Sequence, residues 1–234
     1  MLIPAIGSAV QSTNTPKTDS PAEEIRKFND EKKILLNEVD QFPSKEEPRV
    51  KLAKIYYKLG GLSKAKMAIE INYNHCMTHT TRAIEINPKS ASGFFFRAIC
   101  RGKLGKLKGM FKSLGTLSPF KEDMKTALKL DPTISNGGPN RGLGVMYNQL
   151  PFFMGGSNKK SIYHLKEAIK IAPKYWENHL FLGEVYYDNN DYNLAMDSLR
   201  NVMKYTEAKK NDPKLKTKRQ KAEDLMKKID KKMN

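Results

Sequence analysis

Residues 175–202, YWENHLFLGEVYYDNNDYNLAMDSLRNV, hold two amphipathic runs on either side of the polar turn Asp188-Asn189-Asn190-Asp191. Leu182, Gly183 and Tyr186 recur at helical spacing in the first run, and Tyr192, Ala195 and Leu199 in the second. Gly183 and Ala195 are small enough to let two antiparallel helices approach closely, with Tyr186 and Leu199 filling the space beside them. This pattern decides the fold, because it describes a helix hairpin that cannot bury its apolar face alone.

The same pattern recurs upstream. In KLAKIYYKLGGLSKAKMAI, residues 51–69, Leu52, Ala53 and Tyr56 precede a turn expected at Gly60-Gly61, and Ala65 and Ile69 follow it. Aligned on the Tyr-Tyr pairs, Ala53 matches Gly183 and Ala65 matches Ala195. Short amphipathic runs also end at Pro88, Pro132, Pro173 and Pro213, at intervals of 44, 41 and 40 residues. Periods of this size mark a helical solenoid, in which each helix pair packs on the next. The pattern resembles the tetratricopeptide repeat, whose signature is Leu-Gly-x-x-Tyr on the first helix and Ala on the second. The expected fold is therefore all-α, a tetratricopeptide-like helical-repeat superhelix of antiparallel helix pairs.

Three segments follow. Residues 1–19 read as a signal-peptide remnant or a disordered tail, because MLIPAIGSAV is apolar and ends in small residues. Residues 20–205 form the repeat domain, and 206–234 a basic C-terminal capping helix with the stripe Leu215, Ala222, Met226 and Ile229. Ser20-Pro21-Ala22-Glu23 and Ser44-Lys45-Glu46-Glu47 read as capping boxes. Ile25, Phe28, Leu35 and Val39 give the opening helix its apolar face. Residues 105–118, longer than a standard repeat needs, read as a loop or a short extra helix. Cys76 and Cys100 fall on apolar helix faces and read as buried free thiols rather than a bridge.

The net charge of +17 comes mostly from lysine and is local: residues 101–121 carry six basic residues and no acid. Such an excess suits an acidic partner or RNA. Residues 206–234 contain no aromatic, however, so the base-stacking platforms of a nucleic-acid surface are missing there and no specific nucleic-acid binding is expected.

GGPNRGLGVMYNQLPFFMGGSNKKS, residues 137–161, is the most glycine-rich stretch. It satisfies neither the G-x-x-x-x-G-K-[ST] phosphate loop nor the G-x-G-x-x-G dinucleotide fingerprint. It parses instead as turn, helix from Pro139 to about Gln149, and a turn at Gly155-Gly156. Gly137, Gly138, Pro139 and Arg141 sit at a helix start, where amide groups and a guanidinium could receive a carboxylate. The competing reading is a tight corner with Arg141 in a structural ion pair. Leu150, Pro151, Phe152 and Phe153 form an apolar loop that either contacts a partner or folds back over the interhelical groove. His75 and His79 have an i, i+4 spacing that can chelate zinc, but Cys76 replaces the glutamate of H-E-x-x-H and no third ligand is evident, so no metal is expected. No cofactor or catalytic residue is expected either; His164 and His179 have no recognisably spaced triad partners.

The run GGPNRGLGVMYNQLPFFMGG, with the following lysine-started helix and NHLFLGEVYY, resembles the T-component proteins of TRAP transporters. That resemblance implies a periplasmic, non-enzymatic accessory protein that associates with a solute-binding protein, some members forming homo-oligomers around a pore. Such proteins are often anchored by a lipidated Cys near the signal. No Cys precedes Cys76 here, so a membrane anchor of that kind is not expected. The alternative is a cytoplasmic repeat adaptor that turns its basic surface to acidic protein partners or RNA.

Overall fold

A computed structural model describes residues 20–234, without the side chains of 110–114; the expected signal or tail segment lies outside the described residues. Ten α-helices follow one another: α1 (Pro21–Gln41), α2 (Glu46–Leu62), α3 (Lys66–Ile86), α4 (Ala91–Lys108), α5 (Met110–Leu130), α6 (Ile134–Gln149), α7 (Asn158–Ile171), α8 (Trp176–Asp188), α9 (Tyr192–Thr206) and α10 (Pro213–Met233). Among the described residues there is no strand. The pairs α2/α3, α4/α5, α6/α7 and α8/α9 stack in order, with α1 before them and α10 after. The first helices of successive pairs, α2, α4, α6 and α8, also touch one another and form the inner layer of the superhelix. The fold is the tetratricopeptide-like all-α superhelix that the periodicity predicts.

Three apolar clusters run along the length. Leu35, Leu52, Ile55 and Tyr73 belong to the first, Phe95, Met124 and Leu143 to the middle one, and Leu165, Leu182, Leu199 and Ile229 to the last. Stability is therefore distributed between neighbouring repeats rather than held in one centre. Close approach within pairs rests on small residues. A Cβ on Gly183 would lie 2.9 Å from the Leu199 side chain, and one on Gly144 2.7 Å from Leu165. Prolines 88, 132 and 173 lie in the turns between pairs, where a residue that cannot continue a helix ends each unit. Pro213 opens α10 from an Asp212 cap.

Several sequence expectations are corrected. Gly60 and Gly61 lie inside α2, and the turn comes at Ser63–Ala65. Gly60 is there for packing, since its Cβ would sit 2.8 Å from the Tyr73 ring. Ser20 forms its capping box with Glu23, but Ser44 does not cap α2, which starts from Lys45. The Glu46 carboxylate accepts instead from Ser90 Oγ and from Asn87 Nδ2, tying the start of α2 to the turn before α4. Residues 105–118 are not an inserted loop: they end α4 and begin α5, with one corner at Gly109, whose φ is +87°. Cys76 and Cys100 form a disulfide between α3 and α4, with their Cα atoms 6.4 Å apart. Antiparallel packing brings the two apolar faces together at that level, which spacing in sequence does not reveal.

Candidate functional site

The glycine-rich stretch begins with a left-handed corner. Ser135, Asn136 and Gly137 have φ of 51°, 58° and 77°, interrupting α6 near its start. Ser and Asn each cost about 1 kcal/mol or more in this region, so surrounding contacts must hold them. Arg141 and Asn178 do so. Arg141 Nη1 donates to Ser135 O, Asn136 O and Asn178 Oδ1, and Nη2 donates to Ser135 O, at 2.9–3.2 Å. Asn178 Nδ2 reaches Asn136 O and Ala168 O from α8. Gly137, Gly138 and Pro139 are buried: a Cβ at 137 would meet the Ala168 backbone at 2.9 Å, and one at 138 the Phe95 ring at 2.7 Å. The carboxylate facing Arg141 comes from the chain itself, Glu177 Oε2, 3.3 Å from Nε.

Around this corner the inner layer gathers aromatic and basic groups. The Arg141 guanidinium lies 5.0 Å from the Tyr175 ring centre, and Tyr175 Oη donates to Glu177 at 3.2 Å. Burial, reinforced by Glu177, pushes the Tyr175 phenol up to about 12. Tyr57, three repeats earlier on α2, is raised first by burial and then by the charge of Glu177, with Arg141 opposing. Lys103 of α4 is open to solvent yet its amine is lowered, first by the protein around it and then by Lys106 and Lys218, with Glu177 opposing. Deeper between α4 and α5, Asp123 is buried and takes a fork from Arg97 at 2.7 and 3.0 Å, together with Arg101. Asp123 offsets one of the two guanidinium charges, and the shared bonds brace the pair.

The loop 150–157 lies at the rim where each first helix turns into its second. Leu150 packs on the middle cluster, whereas Phe152 and Phe153, on a short 3-10 turn, are 91% and 85% exposed. His75 and His79 stack on the Tyr56 ring at 4.8 and 5.5 Å. Among the described residues no cluster of three metal-ligating side chains occurs. His164 Nδ1 meets Asn140 Oδ1 at 2.9 Å, and His179 Nε2 meets Pro173 O at 2.7 Å.

Residues 21–135 and 148–230 match the family model described as Regulator of microtubule dynamics protein 1-3. The chain belongs to this family. The match passes over 136–147, which hold Asn136 and Gly137 of the corner and most of α6, while the rest of the glycine-rich stretch, 148–161, lies within it. No curated protein matches the sequence. Among solved structures it is similar to TTC0263, a thermophilic TPR protein of Thermus thermophilus, at 15% identity over 87% of this chain and 98% of that one, TM-score 0.63. MamA is similar at 15% identity over 83% and 99%, TM-score 0.55. YrrB, described as a TPR protein with an unusual peptide-binding site, is similar at 12% identity over 83% and 90%, TM-score 0.52. These likenesses show the tetratricopeptide fold.

Helix α10 adds a part of the inner surface that the sequence does not foretell in this family member. Ala222 and Ile229 are buried against α8 and α9 as the apolar stripe predicts. The lysines beside that stripe do not all face open solvent. Lys221 pairs with Glu184 of α8 at 2.6 Å, Lys214 pairs with Glu24 of α1, and Lys218 acts on Lys103. Between α8 and α10 lies an open groove of about 800 Å³ lined by Lys216, Lys218, Lys221 and Lys228 together with Glu184 and Asp224. Heptad-like spacing shows which residues are apolar, but not that the helix edge beside them borders a groove.

Proposed function

We propose that this chain is a non-catalytic scaffold that holds a segment of another protein along its concave inner surface. The observation that carries the reading is the continuous inner layer of α2, α4, α6 and α8, on which the Arg141 guanidinium lies against the Tyr175 ring and Glu177. Aromatic faces and cations on a concave layer are the groups that anchor an extended, acidic segment. Arg141 and the Gly137–Pro139 corner serve this surface by fixing α6 against α8, while Tyr57, Lys103 and Lys218 meet the ligand.

The partner we propose is a solute-binding protein of a TRAP-type uptake system, outside the cytoplasm. The Cys76–Cys100 disulfide supports that compartment, because such bridges persist where the surroundings are oxidising. A second reading is favoured by the family's description and the net charge of +17: a cytoplasmic adaptor whose basic surface takes an acidic partner, a microtubule among them. Lysine-directed crosslinking in native cells, followed by mass spectrometry, separates the two. Crosslinks from Lys103 and Lys218 to a solute-binding protein are expected. Crosslinks of the same lysines to cytoskeletal or ribosomal proteins would replace the exported reading with the cytoplasmic one.

A further inference from the structure

We infer that the Phe152–Phe153 turn is a membrane-docking tip that enters the surface of an anionic phospholipid bilayer. This goes beyond the scaffold reading and does not depend on it. Phe152 and Phe153 are 91% and 85% exposed, side by side at the end of a loop. The loop beneath them is braced. Met154 N and Gly156 N both donate to Pro151 O, Gly155 N donates to Phe152 O, and Ser157 N donates to Tyr147 O, all at 2.9–3.0 Å. Gly155 supplies the left-handed φ of +88°, and Gly156 approaches Leu150 O so closely that a Cβ would overlap it at 1.8 Å. The two rings are thus presented on a fixed backbone, and ordering costs little when they enter an apolar phase.

Charge decides what that phase is. Residues 132–166 contain no acid, and neither do 101–121, whose α4–α5 corner lies on the same rim one pair earlier. Lys159 and Lys160, directly after the loop, are exposed, and Lys121 and Lys160 hold their ammonium groups 5.7 and 5.5 Å from the Tyr147 ring below. At the next turn along, Asp188 and Asp191 accept hydrogen bonds from Asn148 and Asn189 at 3.0 and 2.6 Å. Two protruding aromatics followed by two exposed lysines fit a negatively charged interface, where aromatic rings settle at headgroup depth and lysines meet phosphates. The tip is convex, and a protein partner would have to supply a pocket for it.

The test is flotation of the full chain with vesicles of phosphatidylcholine alone or equimolar with phosphatidylglycerol. The chain is expected to float with the anionic vesicles, and high salt to release it. Substituting F152S with F153S is expected to lower the partition coefficient about tenfold or more, and K159Q with K160Q about fivefold per lysine. Both variants alter exposed side chains, so unchanged circular dichroism and Tm confirm that folding is intact. Flotation of F152S/F153S equal to the wild type, or no flotation of the wild type, overturns the inference. So does a wild-type dimer that F152S/F153S splits without any vesicle binding, which would make the pair a contact between copies.

Discussion

Arg141 and Asn178, on α6 and α8, both donate to the carbonyl of Asn136 at 3.2 Å while hydrogen-bonding to each other at 2.9 Å. Asn178 is fully buried and also donates to Ala168 O at 3.0 Å. Truncation to Asn178→Ala strips a partner from the buried Ala168 carbonyl and from the part-buried Asn136 carbonyl and Arg141 guanidinium at once. The expected loss is about 2–3 kcal/mol, since unsatisfied buried polar groups bear their full desolvation penalty. That corresponds to a Tm about 5–10 °C lower for a domain of this size, measured by thermal denaturation.

Gly137 tests the same corner by geometry alone. Its φ is +77°, and a Cβ there would lie 2.9 Å from Ala168 Cα and 3.0 Å from Ala168 O, both backbone atoms that cannot rotate away. Gly137→Ala is expected to cost about 3 kcal/mol or more, from the strained dihedral plus the clash. Gly61→Ala is the control. Nothing lies within 4 Å of its Cβ position inside α2, and helix propensity there favours Ala. Urea unfolding should show the first variant shifted to a lower midpoint and the second unchanged or up to about 1 kcal/mol more stable.

These two sites show where the sequence stops being legible. The helix pairs can be read from local periodicity, because Leu182, Gly183, Ala195 and Leu199 each report their own face of their own helix. Ser20 and Glu23 are legible for the same reason, as both partners lie within one turn. The left-handed Ser135 and Asn136 are not, since the groups that hold them arrive from Arg141 and from Asn178, 42 positions beyond Asn136. Glu46 is not legible either, since its partners Ser90 and Asn87 lie more than 40 positions away. The inner layer has the same origin. Tyr57 and Lys103 look like ordinary repeat residues until the superhelix turns them toward Glu177 and Lys218.

The disulfide predicts a stability difference that depends on redox state. Cys76 and Cys100 are both fully buried, and the bridge spans 24 positions. Closing a loop of that length stabilises by about 3 kcal/mol in the chain-entropy account. Urea unfolding of the oxidised protein should therefore give an unfolding free energy about 3 kcal/mol above that of Cys76→Ala/Cys100→Ala, and adding reductant should remove most of the gap. Because solvent does not reach the sulfurs, reduction of the native protein should be slow and should speed up with urea, as local opening exposes them. Ellman titration under native conditions measures this directly.

His79 gives the chain a stability that falls on mild acidification. Burial, with help from Arg49 and His75, lowers its pKa from 6.5 to about 4, and among the described residues its Nδ1 finds no hydrogen-bond partner. In the unfolded chain the imidazole takes a proton as pH drops below 6.5, whereas in the fold it stays neutral down to about 4. Between those values the unfolded state binds more protons, so stability is complete above 6.5 and drains away as pH falls toward 4. An undamped shift of this size is worth about 3 kcal/mol, at about 1.4 kcal/mol per pH unit, and water at the half-buried ring brings it down to about 1–2 kcal/mol. His164, also lowered by burial, adds in the same direction. His79→Phe keeps a ring against Tyr56 but cannot be protonated. Unfolding midpoints measured at about pH 7 and about pH 4.5 should fall steeply for the wild type and distinctly less for this variant. Equal slopes would mean that His79 is protonated in the folded chain, and that the carboxylates alone set the acid limb.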